Sequence, residues 1–175
     1  MTPEKFTQQT LNDIKVKLEG EFKENFIRKA FFDEKWKNTK FPNTRGSLML
    51  RSGNLRNSII SKIQGNSIVF SSSMPYADIH NNGGEIKVTP QMKKYFWAMY
   101  YKTAKAVGST KNKERTQRLT AEAQRFKALA LKPIGSIIKI EKRQFIGHHN
   151  EVDKAVKEII NHNLQELTEA LKKIK

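Results

Sequence analysis

The stretch LRNSIISKIQGNSIVF (Leu55–Phe70) decides how the rest of the chain is read. Two short β-branched runs flank Gly65-Asn66, a dipeptide that suits a tight hairpin turn with positive φ. Alternation along the second run places Ile68 and Phe70 on one face and Val69 on the other. Long helical patterns lie at both ends of the chain. Thr2 and Pro3 read as a cap followed by proline at the first helical position. Leu11, Ile14, Leu18, Phe22 and Phe26 then recur at steps of three and four, which predicts an amphipathic helix running to about Trp36. Gly20 interrupts it and is read as a point of close packing. Near the other end, Asn150 is read as the cap of a helix whose stripe is Val152, Val156, Ile159, Ile160, Leu164, Leu167 and Leu171. Helices with single apolar stripes must pack on a sheet or on each other. The expectation is an α+β fold: a small antiparallel sheet packed with long N- and C-terminal helices, in one domain spanning residues 1–175.

Residues 37–54 are rich in Asn, Thr, Gly and Ser and read as a long loop with an apolar patch at Leu48 and Leu50. Pro75 to His80 reads as a short helical turn, ended by Asn81-Asn82-Gly83-Gly84, where Gly and Asn tolerate left-handed backbone. Glu85–Val88 alternates as a strand. Thr89-Pro90 opens another helix, with Met92, Tyr95, Phe96, Met99 and Tyr100 on one face. Trp97 and Tyr101 lie one turn apart, off the Phe96–Tyr100 line. Aromatics on both lines exceed what one buried stripe needs, which points to an interface, a segment folded over them, or a base-stacking surface. Pro133 and Gly135 lead into a strand at Ile137–Ile140.

The chain carries 33 Lys and Arg against 17 Asp and Glu, a formal net charge of +16. Excess of this size favours nucleic acid, an acidic protein surface or an anionic membrane as a neighbour. Residues 102–133 hold nine basic and two acidic residues, broken at Gly108–Asn112 and helix-like again from Leu119 to Leu131. They read as a flexible basic insertion, mobile over 106–117 because Val107 is the one large apolar residue there. Lys111, Lys113, Arg115, Arg118, Arg125 and Lys127 are its candidate contact surface. From Asn150 onward five basic and five acidic residues balance, so the charge is localised. Apolar runs fall far short of the roughly 20 residues a membrane span needs, and the N-terminus shows no apolar signal region.

There is no cysteine, which removes disulfides, thiolate zinc sites and cysteine nucleophiles together. Tyr76, Asp78, His80 and Glu85 are a conceivable metal or acid–base group, and His80-Asn81-Asn82 is similar to a fragment of an HNH nuclease motif. The spacing argues against it: His80 has no histidine one turn away, and Asp78 falls on another helical face. The favoured reading is a buried turn, with Tyr76 in the core and His80 bonded to backbone. His148 and His149 would diverge on a helix and read as a loop before the last one. No Ser/His/Asp set, Gly-rich phosphate loop or clustered carboxylate pair is seen, so neither an enzyme nor a metal site is expected.

Three segments in order carry a family resemblance: Leu50 to Ile59 (LRSGNLRNSI), Pro75 to Gly84 (PYADIHNNGG), and Lys142 to Gly147 (KRQFIG) before a terminal helix. This order resembles the phage virion morphogenesis family, which includes tail-completion proteins of contractile-tailed phages and Mu-like morphogenesis proteins. It is distantly similar to neck proteins of long-tailed siphophages. Lys142 stands where the family commonly has a proline, and the 102–132 stretch is longer than the family core. The resemblance marks Leu55, Tyr76, Ala77, His80, Gly83, Gly84, Arg143, Phe145 and Gly147 as motif or interface positions. For Arg143, Phe145 and Gly147, a structural role and a subunit contact stand side by side. It implies a role in tail completion or head–tail joining, by homo-oligomerisation and docking to tail or neck proteins, with no enzyme activity and no cofactor. It places the chain in the host bacterial cytoplasm during assembly and then in the virion. The alternative is a non-specific nucleic-acid-binding protein that uses the basic insertion.

Overall fold

The computed structural model describes residues 2–39 and 46–173. Helices and short antiparallel strands mix in an α+β fold with long helices near both ends. Contacts sort the chain into two compact units, each built from separate segments: residues 1–36, 53–77 and 144–175, and residues 37–52 and 78–143.

The first unit is organised by α1 (Pro3–Arg28). The Thr2 side chain accepts the Lys5 N–H at 3.3 Å, and Pro3 takes the first helical position. Ile14, Leu18, Phe22 and Phe26 of the expected stripe are buried. The helix stops eight residues short of Trp36. Lys29 turns left-handed at φ 57, and the chain reverses through β1 (Ala30–Phe31) and β2 (Glu34–Lys35). Aromatic burial explains the reversal. Nine residues are about two and a half helical turns, so a continuous helix would put Phe31 on the side opposite Phe22. After the reversal Phe31 stacks 6.5 Å from Phe22, and Trp36 meets Phe26 edge-on at 5.6 Å. Gly20 is not a packing point: it is exposed, and an added Cβ would meet nothing within 4 Å.

A single turn, α2 (Asn54–Asn57), buries Leu55 and leads into β3 (Ile59–Gln64), which pairs antiparallel with β4 (Ser67–Ser72). Gln64 faces Ser67 across the expected two-residue turn, with Gly65 at φ 59. Phe70 points inward to an edge contact 5.0 Å from Phe22, and Val69 is exposed. The terminal helix α6 (Asn150–Lys172) is capped by His149 rather than Asn150; the His149 ring nitrogen accepts the Glu151 N–H at 3.1 Å. Its most buried residue is polar. Asn163 donates to Thr10 Oγ1 at 3.1 Å and Asp13 Oδ2 at 2.9 Å, which ties α6 to α1. Leu164 and Leu171 of the expected stripe remain exposed.

The second unit starts from α3 (Ala77–Asn82), whose first residue belongs to the first unit, and from β5 (Gly84–Lys87). β5 pairs antiparallel with β6 (Ile137–Ile140). The pairing is extended where Val88 donates to Ser136 O at 2.8 Å and Gly135 donates to Val88 O at 2.9 Å. Between these strands run two packed helices, α4 (Pro90–Gly108) and α5 (Lys113–Leu131). The expected flexible excursion over 106–117 is therefore helical except at residues 109–112. Thr89 caps α4 by accepting the Met92 N–H at 3.2 Å, and Asn112 caps α5 by accepting the Arg115 N–H at 2.8 Å. Ala123 and Ala130, seven residues apart on one line of α5, are buried. Small side chains there let backbones approach. The strands form three separate two-stranded sheets rather than one small sheet. Of the expected 37–54 loop, residues 40–45 lie outside the described residues; Leu48 beyond them is buried, and Ser47 bridges to Leu50.

Asn25 is fully buried, accepts the Phe32 N–H at 3.0 Å and donates to the Phe145 carbonyl at 3.3 Å. Asn25→Ala removes both bonds and should cost about 3 kcal/mol. The measurement is the urea midpoint, with exposed Asn66→Ala as the comparison; equal midpoints for the two variants would remove Asn25 from the core account.

Candidate interaction surface

The motif positions serve backbone geometry more than exposed chemistry. In the first unit Ala77 and Phe145 are buried, and Phe145 packs 5.1 Å from the Phe26 ring. Trp36 donates its indole N–H to the Gln144 carbonyl at 2.7 Å, so the segment before Phe145 is held from a second side. Gly147 has φ 147, and a Cβ there would run into the Gln144 side chain. Tyr76 was expected in the core but is 40% exposed. In the second unit the end of the PYADIHNNGG segment meets the start of KRQFIG. Arg143 donates its backbone N–H to the His80 carbonyl at 2.8 Å. Gly83, at φ 74, lies so close that a Cβ would sit 3.0 Å from the Lys142 nitrogen and 3.2 Å from the Ile140 carbonyl. A left-handed backbone and a close strand neighbour both select glycine there. Gly84 opens β5 against Ile79. The buried Arg143 guanidinium donates from Nε at 3.3 Å and Nη2 at 3.1 Å to the Lys37 carbonyl.

Asp78 accepts from Asn82 at 2.6 Å, and Glu85 faces Lys139 at 3.9 Å. His148 turns to Asp153 at 3.1 Å, while His149 turns to Asp33 at 3.0 Å and stacks on Phe32. Among the described residues no group of three His, Asp or Glu side chains is placed to hold a metal ion.

Charge distinguishes the two units. The first holds 14 Lys and Arg and 12 Asp and Glu, close to neutral; the second holds 19 and five, a net charge of +14. The α4–α5 pair presents much of this to solvent. Lys111 precedes α5, and Lys113, Arg115, Arg118 and Lys127 are exposed along it, with Arg125 half-buried. Both carboxylates of α5 are engaged: Glu114 pairs with Arg118, and Glu122 with Arg51 at 3.3 Å. The Lys127 ammonium lies 6.0 Å over the Tyr100 ring, so α5 does fold over part of the α4 aromatic run. It does not cover all of it. Tyr95 was expected on the packed face with Phe96 but is 57% exposed; Tyr101 is 64% exposed, and its ring stacks 5.9 Å from Trp97. The centre of the packed face of α4 is Thr103. The sequence pattern places the aromatics of α4 on faces but leaves Lys94, Lys102 and Lys105 unassigned to one. Their phase on the helix was the signal that would have found them.

Comparison with protein-family models, with curated proteins and with solved structures finds no match to this chain.

Burial, and next the positive charge of Arg143, hold the His80 imidazole below its usual value of 6.5. An unfolded chain therefore takes up a proton at His80 more readily than the folded one. The His80 contribution is complete above pH 6.5 and is lost as pH falls below that value toward the folded-state pKa. Urea midpoints measured from pH 7.5 down to 5 should decline, and His80→Gln should flatten that part of the profile. An unchanged slope in His80→Gln would assign the decline to other groups.

Proposed function

We propose that this chain is a bacteriophage virion structural protein of the tail-completion or head–tail joining kind. It acts by oligomerising and by docking to neighbouring tail or neck proteins, without catalysis or a cofactor. The observation that carries the reading is the ordered set of three segments, together with the jobs their residues hold. His80, Gly83 and Arg143 shape one backbone junction; Ala77 and Phe145 fill a core. Such roles suit a scaffold that presents surfaces. Apolar side chains left outside support association. Ile60 and Val69 are exposed on the outer side of the β3–β4 hairpin, Leu164 and Leu171 on α6, and Leu131, Ile134 and Ile137 from the end of α5 into β6. No described helix is long and apolar enough to cross a membrane. On this reading the chain passes from the host bacterial cytoplasm into the finished particle.

The test is the composition and form of particles that carry the gene. Immunogold labelling should decorate the neck or the tail end, and removing the gene should leave heads and tails unjoined. Finished, infective particles that lack the chain would defeat the proposal.

A further inference from the structure

We propose that the outward face of α4 binds single-stranded nucleic acid, with its lysines on the phosphates and its tyrosines stacked on bases. The proposal stands on the composition and exposure of this face and does not use the motif segments behind the virion reading.

With 3.6 residues per turn, Tyr101, Lys94, Lys105, Lys102 and Tyr95 fall in that order across about 120° of arc. All five are exposed, and the packed face centred on Thr103 is on the opposite side. Three ammonium groups are thus edged by one tyrosine on each side. Tyr101 is backed by Trp97, whose ring lies 5.9 Å away at an interplanar angle of 25°. The contact covers one side of the Tyr101 ring and leaves the residue 64% exposed. Among the described residues no carboxylate pairs with Lys94, Lys102 or Lys105, so their charge is available to a partner. The two carboxylates nearest in sequence, Glu85 and Glu114, face Lys139 and Arg118.

The class of partner follows from two properties together. A unit with net charge +14 selects a polyanion. Exposed flat aromatics beside the cations favour one whose bases are open for stacking, and only an unpaired strand offers them. A protein partner is the weaker match, because protein interfaces are depleted in lysine. From Lys94 to Lys105 the face runs about 16 Å along the helix axis, long enough for a few nucleotides.

The experiment is fluorescence anisotropy with the whole chain and a short fluorescein-labelled mixed-sequence oligodeoxynucleotide, single-stranded or annealed to its complement, over a range of salt. The single strand should bind more tightly than the duplex, and affinity should fall steeply with salt. Changing Lys94, Lys102 and Lys105 to Gln should reduce the log–log salt slope by about two, as expected for three phosphate contacts on a single strand. Tyr101→Ala should weaken single-strand binding about tenfold, and Tyr101→Phe should restore it. Lys62→Gln with Lys157→Gln, two exposed lysines of the near-neutral unit, should change nothing. The five side chains are solvent-exposed, so circular dichroism should be unaltered in every variant. Three results would overturn the proposal. One is no measurable binding to the single strand, as for a surface that docks an acidic protein. Another is equal binding to duplex with no effect of Tyr101→Ala. The third is a loss on the Lys62/Lys157 pair as large as on the α4 lysines.

Discussion

The buried amide of Asn25 ties three separate pieces of the first unit together. It accepts the Phe32 N–H and donates to the Phe145 carbonyl, so one side chain on α1 meets two pieces of irregular backbone. Burial of backbone polar groups is costly unless each has a partner. Through these two bonds the amide joins the reversal after α1 and the returning C-terminal segment at one aromatic core. Phe22, Phe26, Phe31, Trp36 and Phe145 then close around it, and the Trp36 indole adds a second bond to the returning segment at Gln144.

The second unit rests on a different economy of interactions. Its hydrophobic interior is thin: buried Ala123, Ala130, Thr103 and Val88 stand where the first unit has phenylalanines. Close helix approach through small side chains and firm caps at Thr89 and Asn112 compensate. Nearly all the excess positive charge is collected here. Like charges at this density oppose compaction, and the basic side chains of the helix pair are mostly exposed to solvent.

Much of the architecture was legible as pattern. Caps at Thr2 and Thr89, the turn at Gly65-Asn66 and the α1 stripe are local signals, and local hydrogen bonding and periodicity suffice to realise them. The end of α1 was not legible, because the aromatic pairing that bends the chain at Lys29 involves residues whose value lies in mutual contact. The first turns of α5 were not legible either. Lys113 to Arg118 carry no apolar residue, and their helix is held by the Asn112 cap and by the packing of later alanines on α4. The candidate site divides in the same way. The motif glycines could be named from sequence, but the junction of His80, Gly83 and Arg143 required two segments sixty residues apart to meet.

By itself the sequence determined the α+β class, most of the longer elements, the absence of cysteine chemistry and the size and rough position of the positive charge, since these depend on composition and on contacts within a few residues. Only the tertiary structure decided that the strands pair as three separate two-stranded sheets, that charge gathers in one unit of the two, and that Tyr95 and Tyr101 face solvent beside three lysines. The physical reason is that side-chain burial is set by what packs against an element. The sequence of α4 permits more than one packed face, and its contact with α5 selects the one centred on Thr103.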